Sequence, residues 1–253
     1  MGKKDDMLNK VGYNNNGERM TIVRYGGARD IDVQFDDGTI VEHKRYSHFK
    51  TGSIKNPMTP SVYGVGYFGI GEFKSIDENG KQTKCYNTWK GMHERCYDPK
   101  YQEKHQTYKG CTVCQLWNNY QEFAKWDNEN YYEVGNERMA LDKDILKKGN
   151  KVYSAETCVY VPQSINKLFT KSNKTRGEYY IGVTKHGNKF QALLNKGNGT
   201  SIALGTYDTP EEAFQVYKHA KEQYIKEVAE EYKEKIDPRV YEALMNYEVD
   251  IND

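Results

Sequence analysis

YIGVTKHGNKFQALLNKGNGTSIALGTYDTPEEAFQVYKHAKE, residues 180–222, carries the plainest structural signal in the chain. YYIGVTK, KFQALLN and SIALGTY read as three short strands. Lys185-His186-Gly187-Asn188 and Lys196-Gly197-Asn198-Gly199 separate them with residues that favour turns. Thr209-Pro210-Glu211-Glu212 then opens a helix: Thr209 is a good N-cap, Pro210 fits the first helical position, and Glu212 can close a capping box. Ala213, Phe214, Tyr217, Ala220, Tyr224, Val228 and Tyr232 fall at helical spacing, which predicts the face that packs on the sheet. Pro238 is read as the end of that helix, with a last helix over residues 239–247. The prediction for residues 171–253 is therefore a three-stranded antiparallel sheet packed on a helix.

Charge is divided unevenly along this half. Residues 163–198 hold seven Lys/Arg and one Glu, whereas residues 211–253 hold twelve acids and six bases. The net charge of the whole chain is +1, so the distribution says more about a partner than the sum does. An ordinary solvated surface is the alternative reading of the same charges.

YIGVTKHGNKFQALL followed by LGTYDTPEEAFQVYKHAKE resembles the ethylene-response-factor-type (AP2-like) DNA-binding domain, also found fused to phage endonucleases. The resemblance implies that the sheet lies in the DNA major groove. Its outward candidates are Tyr180, Thr184, Lys185, Lys189, Gln191 and Lys196. Lysine neutralises phosphate, and glutamine can pair bidentately with adenine. The family's arginines and tryptophan are replaced here by lysines and tyrosines.

Residues 61–170 have mixed character. YNTWKGMHERCYD places Trp89, Met92 and Cys96 as a short helix would. CQLWNNYQEFAKW spaces Leu116, Trp117, Tyr120, Phe123 and Ala124 as one helical face. ERMALDKDIL reads as a strand running into the polar loop KKGNK, and CVYVP as a second strand stopped by Pro162. A helix can open between Gln163 and Phe169.

The run of Tyr86-Asn87-Thr88-Trp89, Arg95-Cys96-Tyr97, Tyr108-Lys109-Gly110-Cys111-Thr112-Val113-Cys114, Leu141-Asp142-Lys143-Asp144, Gly149-Asn150 and Glu156-Thr157-Cys158 resembles a phage HNH (ββα-metal) endonuclease family. That resemblance implies a strand, a loop, a second strand and a helix around one divalent cation. Asp142 would take the first ligand position, Lys143 the general-base position, Thr157 the middle asparagine position and Asn166 the helix position. A hard cation such as Mg²⁺ or Mn²⁺ accepts a carboxylate and an amide oxygen and stabilises charge developing on a scissile phosphate. The sequence departs from the family where it matters most. Lys143 stands where the family has histidine, and a lysine needs burial or a cationic neighbour to act as a base near neutral pH. Asp144, His93 or His105 could substitute.

The five cysteines are Cys85, Cys96, Cys111, Cys114 and Cys158. An odd number without a signal peptide argues against a disulfide framework and for a reducing compartment. Cys111-x-x-Cys114 has the spacing of a zinc knuckle. Fourteen residues separate Cys96 from Cys111 and 43 separate Cys114 from Cys158. The resembling family carries Cys at both outer positions, which implies a structural Zn²⁺ held by Cys96, Cys111, Cys114 and Cys158. Cys85 is the leftover, or a substitute for Cys96. Four buried small hydrophobes is the competing reading.

Residues 1–60 form a small β-rich segment. MTIVRY and DIDVQF alternate as half-buried strands do, Asp36-Asp37-Gly38 marks a hairpin, and KNPMTP closes the segment. Its near balance of bases and acids names no partner. It is read as an accessory DNA-binding or spacer module.

Together these readings give a multi-domain α+β chain: a β-rich module over 1–60, a zinc-stapled HNH-like domain over 61–170, and the AP2-like domain over 171–253. The 253 residues include 22 Tyr, 8 Phe and 3 Trp, ample apolar area against full disorder, while a mean hydropathy of -0.95 and the lack of long apolar runs argue against a membrane span. The implied function is a phage-type homing or related endonuclease, a hydrolase of duplex DNA acting in the host bacterial cytoplasm. The alternative is a DNA-binding phage protein without catalysis, acting as a regulator or as an adaptor or inhibitor of a host protein.

Overall fold

The computed structural model describes residues 6–169, 178–196 and 200–252. Helix accounts for 33% of the chain and strand for 25%, which makes it a mixed α and β protein. The chain folds as two compact units, residues 1–109 with 115–125, and residues 110–114 with 126–253. This division differs from the three segments read from sequence: the boundary near residue 60 falls inside the first unit. The boundary at 170/171 lies outside the described residues.

In the first unit, β1 (Val11–Tyr13), β2 (Arg19–Gly27), β3 (Asp30–Phe35) and β4 (Ile40–Lys44) form an antiparallel meander in chain order. The β3–β4 turn is the Asp36-Asp37-Gly38 hairpin, with Gly38 at φ 86°, where a side chain would be strained. Alternation puts Met20, Ile22, Ile31, Val33 and Phe35 on one buried face, closed by Phe49 of the short helix α1 (Tyr46–Lys50). A second core of this unit is aromatic. The helices α2 (Lys84–Tyr97) and α3 (Pro99–Lys104) precede a short 3-10 turn over Gln115–Asn118 and α4 (Tyr120–Asn130). Trp89, Trp117, Tyr120 and Phe123 are fully buried, and the Trp89 indole N–H donates to the Trp117 carbonyl at 2.7 Å. The helical face read for residues 115–124 needs one correction. Leu116 lies in the 3-10 turn and is 60% exposed, because the α-helix begins only at Tyr120.

The second unit holds β5 (Thr112–Val113), β6 (Met139–Asp142), β7 (Val152–Tyr153), β8 (Val159–Pro162) and α5 (Gln163–Lys167). After these come β9 (Val183–His186), β10 (Lys189–Asn195), β11 (Ser201–Tyr207), α6 (Pro210–Tyr232) and α7 (Pro238–Met245). β5 and β7 pair in parallel, β6 and β8 antiparallel. The last three strands form an antiparallel sheet in the order β11-β10-β9. The capping box of α6 is present: Thr209 Oγ accepts from the Glu212 amide, and the Glu212 carboxylate accepts from the Thr209 amide. Pro238 does not end α6, which stops at Tyr232; it is the first residue of α7, capped by Asp237. The first half of α6 packs on the sheet through Ala213, Phe214 and Tyr217, and its second half meets Val159, Val161, Ile165 and α7 through Ile225, Val228 and Ala229. One helix therefore serves both cores, which is why residues 126–169 and 178–252 fold as one unit. The turn read at 196–199 lies mostly outside the described residues.

Candidate functional site

The resemblance draws attention first to β6, β8 and α5. Register pairs Asp142 with Val159 at one end and Met139 with Pro162 at the other. Pro162 leads straight into α5, and the Gln163 amide donates to the Arg138 carbonyl at 2.8 Å. The result is an antiparallel hairpin followed without a gap by a helix, with Asp142 closing the first strand. Asp142 Oδ1 accepts from the amides of Asp144 and Ile145, both at 2.7 Å. Burial pushes the carboxyl above its ordinary range, against the pull of those two amides. No lysine, arginine or histidine forms an ion pair with Asp142 among the described residues. Asn166 lies one turn into α5, half-buried, and its side-chain amide has no hydrogen-bond partner among the described residues. A carboxylate oxygen and an amide oxygen are each ligand types that suit a hard divalent cation.

Lys143 occupies a different environment from the one a general base needs. It is 5% exposed. Its Nζ donates to Asp144 Oδ2 at 2.6 Å and to the Asn150 carbonyl at 2.8 Å, and it lies 5.8 Å from the centre of the Tyr153 ring. Its nitrogen is turned toward a carboxylate, a carbonyl and a ring face, the contacts of a structural tie across the loop rather than of a base facing water. Thr157 is also structural: its hydroxyl donates to the Val152 carbonyl at 2.9 Å and pairs with Ser154 Oγ at 3.0 Å. The residue that organises the loop is Asn150. Its Nδ2 donates to the carbonyls of Lys143 at 2.9 Å and Val152 at 2.7 Å, and its Oδ1 accepts from the Val152 amide. Asn150 appears in the sequence only as part of a motif, and nothing short of the loop's hydrogen bonds shows its role.

The cysteines fall in both units. Cys96 is buried on α2, with Cys85 half-buried near that helix's start. Cys111 and Cys114 flank β5, and Cys158 directly precedes β8. Burial pushes the Cys158 thiol up to about 12, with Asp142 and Cys114 adding to the rise. Such a thiol stays protonated near neutral pH unless a cation replaces its proton.

On the C-terminal sheet, register separates the six expected DNA contacts. Thr184 pairs with Gln191, opposite the helix-packed pair Val183 and Ala192, so both face outward. Lys189 pairs with His186 on that outward face and forms an ion pair with Asp208 at 2.9 Å. The other three lie elsewhere. Lys185 pairs with Phe190, which packs on the helix side. Tyr180 precedes β9, tilts against Phe214 and donates its hydroxyl to Glu211 at 2.9 Å. Lys196 sets its Nζ over the Tyr224 ring of α6 at 5.1 Å. The strand read over residues 179–185 overestimates β9: Gly182 turns the chain at φ 76°, and a Cβ there would lie 2.1 Å from Tyr217 Cδ2. Tyr180 therefore lies before the sheet rather than on its outer face.

A further constellation lies across the hairpin of the first unit. Asp30, Asp32 and His43 bring three donor atoms close enough together to hold a metal ion. Arg24 already stands among them. Its Nε meets Asp32 Oδ2 at 2.5 Å, its Nη1 meets Asp30 Oδ2 at 2.9 Å, and its Nη2 meets Asp30 Oδ1 and Asp32 Oδ1 at 2.7 Å each. The guanidinium holds both carboxyls well below the usual range. The cation this triad suits is thus supplied by the chain itself. The triad spans β3 and β4, whose pairing is irregular between Ile31 and Val33, and no spacing rule in the sequence brings His43 to Asp30 and Asp32.

Comparison with protein-family models, with curated protein sequences and with solved structures gives no match in any of the three.

Proposed function

We propose that the chain is a duplex-DNA-binding protein of the ββα-metal type that hydrolyses phosphodiesters with a divalent cation. The observation that carries this reading is the β6–β8–α5 arrangement, with the half-buried Asp142, which has no ion pair among the described residues, at the end of its first strand. Asp142 Oδ2 and the Asn166 amide oxygen would hold Mg²⁺ or Mn²⁺. The cation would supply charge stabilisation on the scissile phosphate and its leaving oxygen. Asn150 and Lys143 hold the loop that presents Asp142. Thr184, Gln191 and Lys189 on the outer face of the C-terminal sheet would contact DNA, with Gln191 the one side chain there suited to bidentate pairing with adenine. A structural Zn²⁺ on cysteine thiolates belongs to the same reading. No helix of the described residues is long and apolar enough to cross a membrane.

The test is nicking of supercoiled plasmid with Mg²⁺ or Mn²⁺, and with EDTA, by the chain and by Asp142→Ala. The expected result is metal-dependent nicking that Asp142→Ala abolishes while DNA binding survives. An Asp142→Ala variant that cuts at the wild-type rate refutes the assignment. The engagement of Lys143 Nζ with Asp144 and the Asn150 carbonyl favours a second reading, a DNA-binding protein without catalysis. That reading is met by salt-sensitive DNA binding with no cleavage under any metal.

A further inference from the structure

Residues 1–60, the β-rich part of the first unit, hold ten Lys/Arg and eight Asp/Glu. Five of these acids have partners within the chain, while Glu42 of β4 is exposed and has none among the described residues. Asp30 and Asp32 bind Arg24, Asp36 binds Arg19, Asp37 accepts from Asn56, and Glu18 accepts from Asn14 and Thr59. The cations left over gather around α1. Lys44 ends β4, Arg45 caps α1, Lys50 ends it, and Lys55 follows. Arg29 is next to Ala28, whose carbonyl accepts from the Tyr46 amide at 2.9 Å. Lys10 donates to the Tyr46 hydroxyl at 2.8 Å. None of these six has a carboxylate partner among the described residues, and all but the half-buried Lys44 are exposed.

We propose that this face, centred on α1, binds the phosphate backbone of duplex DNA at a contact separate from the C-terminal sheet. Cations without carboxylate partners need displace only counterions to meet phosphate, whereas paired ones must first break an ion pair. α1 itself lacks the apolar anchor of a membrane-binding helix: Phe49 is buried, Tyr46 is half-buried, and the exposed hydrophobics nearby, Leu8, Val11 and Tyr13, belong to β1 and the residues before it. The contact reads no sequence, since it offers charge and no amide fork to base edges.

The experiment measures affinity of the full chain for a 30-base-pair duplex as a function of salt. The chain is compared with Arg45→Gln/Lys50→Gln/Lys55→Gln, with single Lys55→Gln, and with the sheet variant Thr184→Ala/Gln191→Ala. Matching thermal melts show that each is folded. The triple variant is expected to bind at least tenfold more weakly at about 0.1 M salt and to lower the slope of log K against log salt by about 2.7, from three charges at about 0.9 each. The single variant should lower the slope by about 0.9. A triple variant with the wild-type affinity and slope overturns the proposal, whatever the sheet variant does. Loss of DNA binding only in the sheet variant leaves the proposed function standing and removes this contact; loss only in the triple variant leaves this contact standing and removes the sheet as a DNA contact. Phosphatidylserine-containing vesicles provide the other arm. If the triple variant loses vesicle binding but keeps DNA binding, the face belongs to a membrane surface and the proposal falls.

Discussion

Lys143→Met separates a structural lysine from a catalytic one. The substitution keeps most of the side chain's length and removes the ammonium. Loss of the charged bond to the Asn150 carbonyl costs about 1.5–3 kcal/mol. The pair with half-exposed Asp144 adds about 0.2–1 kcal/mol, and the contact with the Tyr153 ring about 0.5–1 kcal/mol. Against this, the buried ammonium no longer has to be desolvated, a relief of several kcal/mol in principle but incomplete at a site open on the Asp144 side. The net expectation is destabilisation by about 1–3 kcal/mol, or a melting point lower by about 2–4 °C for each kcal/mol in a chain of this size. Lys143→Ala should cost about 2–3 kcal/mol more, from three lost methylenes at about 0.8 kcal/mol each. Urea unfolding gives the stability, and plasmid nicking well below the melting point gives the activity of folded protein. Retained nicking with lowered stability is the expected pair. Unchanged stability with nicking abolished refutes the structural assignment and makes Lys143 a participant in the chemistry.

Lys221 lies on the inward face of α6, buried and without a partner among the described residues, and burial lowers its amine to about 8. The unfolded chain holds that proton to about pH 10.4, so stability should rise as pH climbs from about 8 toward that value, and Lys221→Met should raise neutral stability by roughly 1–3 kcal/mol. Urea midpoints that do not move on substitution contradict this. His93 is buried with Nδ1 donating to the Trp89 carbonyl at 3.0 Å, and burial lowers its affinity for a proton. Below about pH 6.5 the unfolded chain takes up the proton first, so stability should fall by up to about 1.4 kcal/mol per pH unit relative to His93→Gln. Parallel pH curves for the two proteins exclude that role. Gly182→Ala combines a strained φ with a clash against Tyr217, so unfolding in urea should show a loss of at least ~2 kcal/mol; a variant as stable as wild type shows that the turn re-forms elsewhere.

The C-terminal fold was largely legible because its signals are local. Thr209, Pro210 and Glu212 determine a helix start without reference to the rest of the chain. The hairpin of β3 and β4 follows in the same way from alternation and Asp37-Gly38. What depended on phase was not legible. A turn at Gly182 removes Tyr180 from the sheet, and alternation within β9 puts Lys185 on the other face from Thr184. The stripe read on α6 packs, with Ala220, Tyr224 and Tyr232 half-buried against the cores, but the helix also buries Lys221, Ile225 and Ala229, which that reading leaves out. A lysine at the centre of a buried face breaks the polar-apolar alternation on which that reading rests. At the candidate site, the position of Asp142 at a strand end was readable, but the burial of Lys143 was not. Its partners, Asn150 and Tyr153, come from across a loop whose closure no spacing rule specifies.

The 23 residues of α6 span about 34 Å as an α-helix. The outer sheet and the ββα element are seated on the two halves of this one rod. A flexible tether would allow cleavage at a spread of distances from the bases being read. A shared shaft allows one offset and one rotational phase along the duplex. If the chain cuts DNA, its breaks should fall at a single spacing from the recognised bases, and moving the recognised sequence by five base pairs should move the break by the same five.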